Sequence, residues 1–124
     1  MTTRRQPPAA QPEEIVIHGL WQTDHRFQAT GKTLADAIPN APSLLAMAPG
    51  VIVPGKPLRQ FAAIHKNDVL TFTFPSDPDD RANEATIETS RDGEYSARMR
   101  LRPTPAELDN IGFASLIYAN LGNR

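Results

Sequence analysis

Arg98, Arg100 and Arg102 alternate along the chain, and this is the spacing that points most directly to chemistry. Successive side chains of a strand face opposite sides, so all three arginines would project together, where guanidinium groups can meet phosphates or an acidic protein surface. Arg59 and Lys66, with Lys56, would extend such a patch. Glu84 and Glu88 fall on the same face of the neighbouring predicted strand, and cross-strand charge pairing is the plainer account of the stripe. Sheet surfaces that read nucleic acid usually add aromatic side chains for base stacking. Here Phe72 and Phe74 are needed by the core, which leaves Tyr95 as the spare aromatic nearby.

Other chemically capable groups are scattered. His18, Asp24, His25 and His65 have the side-chain types of a metal site, but no H-E-x-x-H pattern and no close histidine pair. Gly31-Lys32-Thr33 has the closing residues of a phosphate-binding loop, yet Arg26 stands where its first glycine belongs. Asp77, Asp79 and Asp80 cluster without the glycine and terminal glutamate of a calcium loop. With no cysteine there is no thiolate nucleophile, disulfide or cysteine-bound metal. The sequence therefore implies no catalytic set, no cofactor and no metal.

The elements that would position these residues belong to one domain of 124 residues, with 40% hydrophobic and 22% charged side chains. Thirteen basic residues against 14 acidic ones leave a net charge of -1, so no bulk field draws the chain to nucleic acid or anionic lipid. Residues 1–13, with Pro7, Pro8 and Pro12, read as a disordered tail ahead of an α+β domain over 14–124. Arg4 and Arg5 in the tail precede no apolar run of the kind a signal peptide needs, and no later stretch is long enough to span a bilayer. A cytoplasmic protein without membrane contact is expected.

Along the chain, Ile15 to Ile17 predicts a strand ended by Gly19, and Leu20 to Thr30 a second one. Thr33 before Leu34 to Ile38, and Ser43 before Leu44 to Ala48, each predict a short capped helical turn. Val51 to Val53, between two Pro-Gly pairs, reads as a short edge strand. Leu70 to Phe74 alternates strictly, and a Lys66-Asn67 turn would fold it onto Arg59 to His65, with Ala63 opposite Leu70 and Phe61 opposite Phe72. Around Arg91-Asp92-Gly93, a three-residue loop pairs Ile87 with Ala97, Ala85 with Met99 and Glu84 with Arg100, which separates apolar from charged side chains.

Thr104-Pro105-Ala106-Glu107 has the form of a capping box opening a C-terminal helix that Gly122 closes. The apolar residues of this helix exceed a single stripe, which marks Phe113, Leu116, Ile117 and Leu121 as a surface for another chain. The expected fold is about five mostly antiparallel strands with that helix packed on one face, or else a small β-barrel or sandwich with a terminal helix. The expected function is a non-catalytic protein-binding or assembly module: a homo-oligomeric structural, adaptor or inhibitory protein. The competing reading is nucleic-acid binding through Arg98, Arg100 and Arg102.

Overall fold

Strict alternation in Leu70-Thr71-Phe72-Thr73-Phe74 commits one face of a strand to apolar packing and the other to water, and the fold is built on that strand. The computed structural model describes residues 13–23, 25–38, 43–48, 50–75, 84–104 and 116–122. Among them, nine strands and two helices form an α+β domain with two sheets, neither of them closed into a barrel.

The larger sheet is antiparallel and runs in the order β2 (Leu20–Thr23), β3 (Arg26–Thr30), β6 (Val69–Thr73), β7 (Ala85–Arg91), β8 (Glu94–Leu101). Its inner face carries Phe27, Ala29, Leu70, Phe72, Ala85, Ile87 and Leu101, all buried. Phe27 and Phe72 are cross-strand partners with ring centroids 6.2 Å apart, and Trp21 meets Phe27 edge-on at 5.4 Å. The smaller sheet runs β1 (Glu13–Ile17), β9 (Leu116–Leu121), β4 (Leu44–Met47), β5 (Val51–Pro54). In it β9 lies parallel to both β1 and β4, while β5 is an antiparallel edge. Ile17, Leu45, Met47, Val53, Ala119 and Leu121 join the same core. Trp21 Nε1 donates to the Leu121 carbonyl at 3.2 Å, tying the two sheets together.

Helix α1 (Gly31–Ala37) continues directly from β3. Its N-cap is Thr30, three residues ahead of the expected Thr33: the Thr30 hydroxyl accepts from Thr33 N at 3.1 Å. Helix α2 (Gly55–Ile64) follows β5 and buries Gly55, Leu58 and Ala62, a helical spacing. Gly31 lets the two helices meet, because a Cβ there would lie 2.2 Å from the His65 carbonyl oxygen.

Besides the cap of α1, and the single strand expected over Leu20 to Thr30, which is the antiparallel pair β2–β3, four expectations are corrected. Arg59 to Ile64 is helix, so Lys66-Asn67 links a helix to a strand, and Leu70 and Phe72 pair with Ala29 and Phe27 on one side and Thr89 and Ile87 on the other. Leu44 to Met47 is a central strand buried at all four positions. Residues 116–121, the end of the expected C-terminal helix, form β9, whereas 105–115 lie outside the described residues.

The fourth correction concerns the β7–β8 turn, which has two residues, Asp92 at φ 55° and Gly93 at φ 84°, followed by a bulge. The bulge inserts Ser96 between the Ser90↔Tyr95 and Thr89↔Ala97 pairs, so Ile87 meets Met99 and Glu88 meets Arg98. One inserted residue thus restores the apolar–charged segregation that a bare two-residue turn would break. It also brings the Ser96 hydroxyl within 2.6 Å of that of buried Thr89.

Alternation makes β6 a direct test of this packing. Phe72→Ala removes a fully buried ring and should cost about 3–5 kcal/mol, whereas Thr73→Ala, on the exposed side of the same strand, should stay within about 0.5 kcal/mol. Urea midpoints of the two variants measure the difference, and equal shifts would place the core elsewhere.

Candidate functional site

Two surfaces carry the chemistry. The first is the outer face of the larger sheet, whose residues alternate with the buried set and are exposed or half-buried throughout. Register aligns Thr23, Arg26, Thr73, Thr86 and Arg100 in one cross-strand row, and Leu20, Gln28, Thr71, Glu88 and Arg98 in the next. Gln28 Nε2 donates to the Thr71 hydroxyl at 3.0 Å. Glu88 Oε2 accepts from Arg98 Nη2 at 2.8 Å and from Nε at 3.2 Å, so Arg98 is the arginine that cross-strand pairing absorbs. Arg26 and Arg100, three strands apart in a single row, have no ion-pair partner among the described residues.

The second is an open cleft of about 420 Å³ at the turn end of the β7–β8 hairpin, lined by His65, Asp68, Arg91, Asp92, Glu94, Tyr95 and Ser96. Asp68 is 2% exposed and sits where α2 gives way to β6. Its Oδ1 accepts from Arg91 Nε at 2.6 Å, and its Oδ2 is 2.9 Å from His65 Nδ1. The hydrogen bond from Arg91, seconded by that from His65, holds the Asp68 carboxyl below its ordinary value of 3.8, with burial opposing them. An ionised carboxylate only accepts, so the proton between the two lies on His65 Nδ1 and the other ring nitrogen is left over. Phe61 packs against the imidazole with ring centroids 4.6 Å apart, fixing its plane. The Asp68 backbone is committed as well, its N–H donating to His65 O and its carbonyl accepting from Gly31 N.

The residues singled out by sequence divide between these surfaces and plain structure. Arg98 and Arg100 lie on the outer face of β8, and Arg102 is exposed just beyond it. Arg59 is apart from them in α2, where its Nε donates to the Ile38 carbonyl at 2.8 Å and closes the end of α1. Lys66 is exposed in the turn after α2, and its carbonyl accepts from Lys32 N. The basic patch is therefore not assembled from both regions: Arg26, absent from the sequence-derived set, shares a cross-strand row with Arg100, with Thr73 and Thr86 between them. Leu116 and Leu121 are buried in β9 and Ile117 is half-buried, so the three do not form a helical face, and Phe113 lies outside the described residues.

Gly31-Lys32-Thr33 does open a helix, but Gly31 N and Lys32 N are spent on Asp68 O and Lys66 O, and Lys32 Nζ pairs with Asp36 at 2.8 Å. No amide of this pair is left to cradle a phosphate. His18 and His25 are exposed and His65 lies in the hairpin cleft, while His18 lines a different one with Gln28, Thr30 and Thr33. Asp24, Asp77, Asp79 and Asp80 lie outside the described residues, and among the described residues no three His, Cys, Asp or Glu side chains gather as metal ligands. Among them, too, no helix is long and apolar enough to cross a membrane.

Comparison with known proteins adds no further constraint: no family model matches the chain, and no curated protein or solved structure is significantly similar to it.

Because the folded state favours ionised Asp68, the stability this group contributes is present above 3.8 and is lost as pH falls through its lowered folded value. Thermal midpoints should therefore fall more steeply with acid in the wild-type chain than in Asp68→Asn, which lacks the carboxyl. At neutral pH the variant should melt lower, since it replaces the acceptor of the His65 Nδ1–H bond. Superimposable pH profiles would show that the carboxylate contributes nothing.

Proposed function

We propose that this chain is a non-catalytic protein-binding module that docks an acidic protein surface on the outer face of its larger sheet. The observation that carries this reading is the row joining Arg26 and Arg100, two exposed guanidinium groups without ion-pair partners among the described residues, on a face that also presents Thr and Gln side chains, exposed Leu20, Val69 and Tyr95, and the Glu88–Arg98 pair. Phe27 and Phe72 are buried on the opposite face, and on the outer one Tyr95, paired with Ser90, is the single exposed aromatic among the described residues of this sheet, too few for a run of stacked bases. A second copy set face to face would bring like charges together, so the reading favours a different, acidic partner over self-association. An adaptor and an inhibitor would use the same face.

Nucleic-acid binding through Arg98, Arg100 and Arg102 remains the competing reading, because Arg100 and Arg102 are exposed on and beside an edge strand. Salt and nuclease separate the two. Tagged protein in a lysate pull-down should retain the same partner with and without nuclease, and the Arg26→Glu/Arg100→Glu variant should lose it by about tenfold or more while melting within a degree or two of wild type. Partners lost on digestion, with a log-affinity slope against salt that flattens in an Arg98/Arg100/Arg102→Ala variant, would replace this reading with the nucleic-acid one. Equal retention by the charge-reversed variant would remove the sheet face from both.

A further inference from the structure

The cleft at the β7–β8 turn holds charges that the fold leaves uncommitted. Both oxygens of Asp68 are engaged by its own neighbours, so the buried carboxylate has no charge to spare for a ligand. Arg91 gives Asp68 its Nε, while its side chain remains 61% exposed and its terminal nitrogens have no partner among the described residues. Glu94 stands directly across the ladder from Arg91, yet Arg91 is drawn to the buried carboxylate instead. Glu94 is consequently left without a counter-ion among the described residues, and so is Asp92 at the exposed turn. A simple anion entering here meets the guanidinium but is repelled by two carboxylates, and a simple cation meets the reverse. A ligand carrying both signs satisfies all three.

We infer that this cleft binds a small zwitterion of the α-amino acid type, its carboxylate on the terminal nitrogens of Arg91 and its ammonium on Glu94 and Asp92. The planar end of a guanidinium matches a carboxylate with two parallel hydrogen bonds, and the Asp68 contact holds that plane in place before the ligand arrives. His65, fixed by Asp68 and by the Phe61 ring, forms a rigid wall, with Tyr95 and Ser96 on the hairpin side. A volume of about 420 Å³ accommodates an amino acid with a side chain of any size. Open ion pairs contribute little each, so the affinity falls in the millimolar range. Neither Arg26 nor Arg100 lines this cleft, which makes the site independent of the sheet face.

Nuclear magnetic resonance titration of the full chain tests it, with alanine and phenylalanine as probes, each also as its carboxamide and its N-acetyl form. The free amino acids should give saturable amide shifts at Asp92 to Ser96 and His65, and the two blocked forms, each lacking one charge, should not. Glu94→Gln and Asp92→Asn remove exposed carboxylates, and asparagine tolerates the positive φ at position 92, so both variants should fold normally. Each should weaken binding of the free amino acids by about two- to fivefold. Absence of saturable shifts, equal binding of the N-acetyl form, or unchanged affinity in both variants would overturn the assignment.

Discussion

A carboxylate taken out of water must find donors, and at Asp68 that requirement gathers four elements to one point. Its side chain holds the first residue past α2 and the last residue of β7, and its carbonyl receives the opening amide of α1. None of these contacts is local to one element. The helices can approach there because position 31 has no side chain to obstruct the His65 carbonyl. Satisfying the buried charge thus ties the end of α2 to the far end of the β7–β8 hairpin, while the backbone carbonyl of the same residue meets the opening amide of α1. The cleft exists because Arg91 is turned toward that charge and away from its cross-strand neighbour.

The larger sheet divides its labour by face. Phe27, Phe72 and Ile87 fill the interior while Arg26, Thr73, Thr86 and Arg100 meet water, and the same alternation that produces the core therefore aligns the outward charges in rows. The bulge at Ser96 keeps this division intact past a turn that would otherwise invert it.

What the sequence made legible follows burial geometry. The β6 strand, with one face wet and one dry, shows its period openly, whereas Ile15 to Ile17 and Val51 to Val53 are legible as β-branched runs bounded by glycine or proline. β4 has no such signal: Leu-Leu-Ala-Met is buried on both sides between β9 and β5, and a short continuous apolar run reads as helix or strand alike. β9 is hidden for another reason: its buried residues Leu116, Ala119 and Leu121 fall at a spacing that does not alternate strictly, with Tyr118 and Asn120 exposed. In Arg59 to His65, Phe61 and Ala63 fit an alternating pattern, but Leu58 and Ala62 four residues apart were the stronger clue, since both are buried. Asp68 left no trace in the sequence. Its neighbours along the chain form an ordinary polar turn, and Arg91, its principal partner, comes from a different hairpin. Arg26 escaped notice for a related reason: it joins Arg100 through three strand pairings and has no proximity to it in sequence.

The position of β9 has a consequence for how the chain reaches this state. Among the described residues β1 has no neighbour in its sheet other than β9, with Glu13 paired to Ile117 and Ile17 to Leu121. Among the described strands β1 therefore waits for β9, which lies far along the chain and enters between β1 and β4. Pairings so distant along the chain demand loop closure before they return any stabilisation, which places the smaller sheet late in folding and makes its assembly slow. The antiparallel larger sheet, joined largely by neighbouring strands, can form first and supply the apolar surface on which β9 settles.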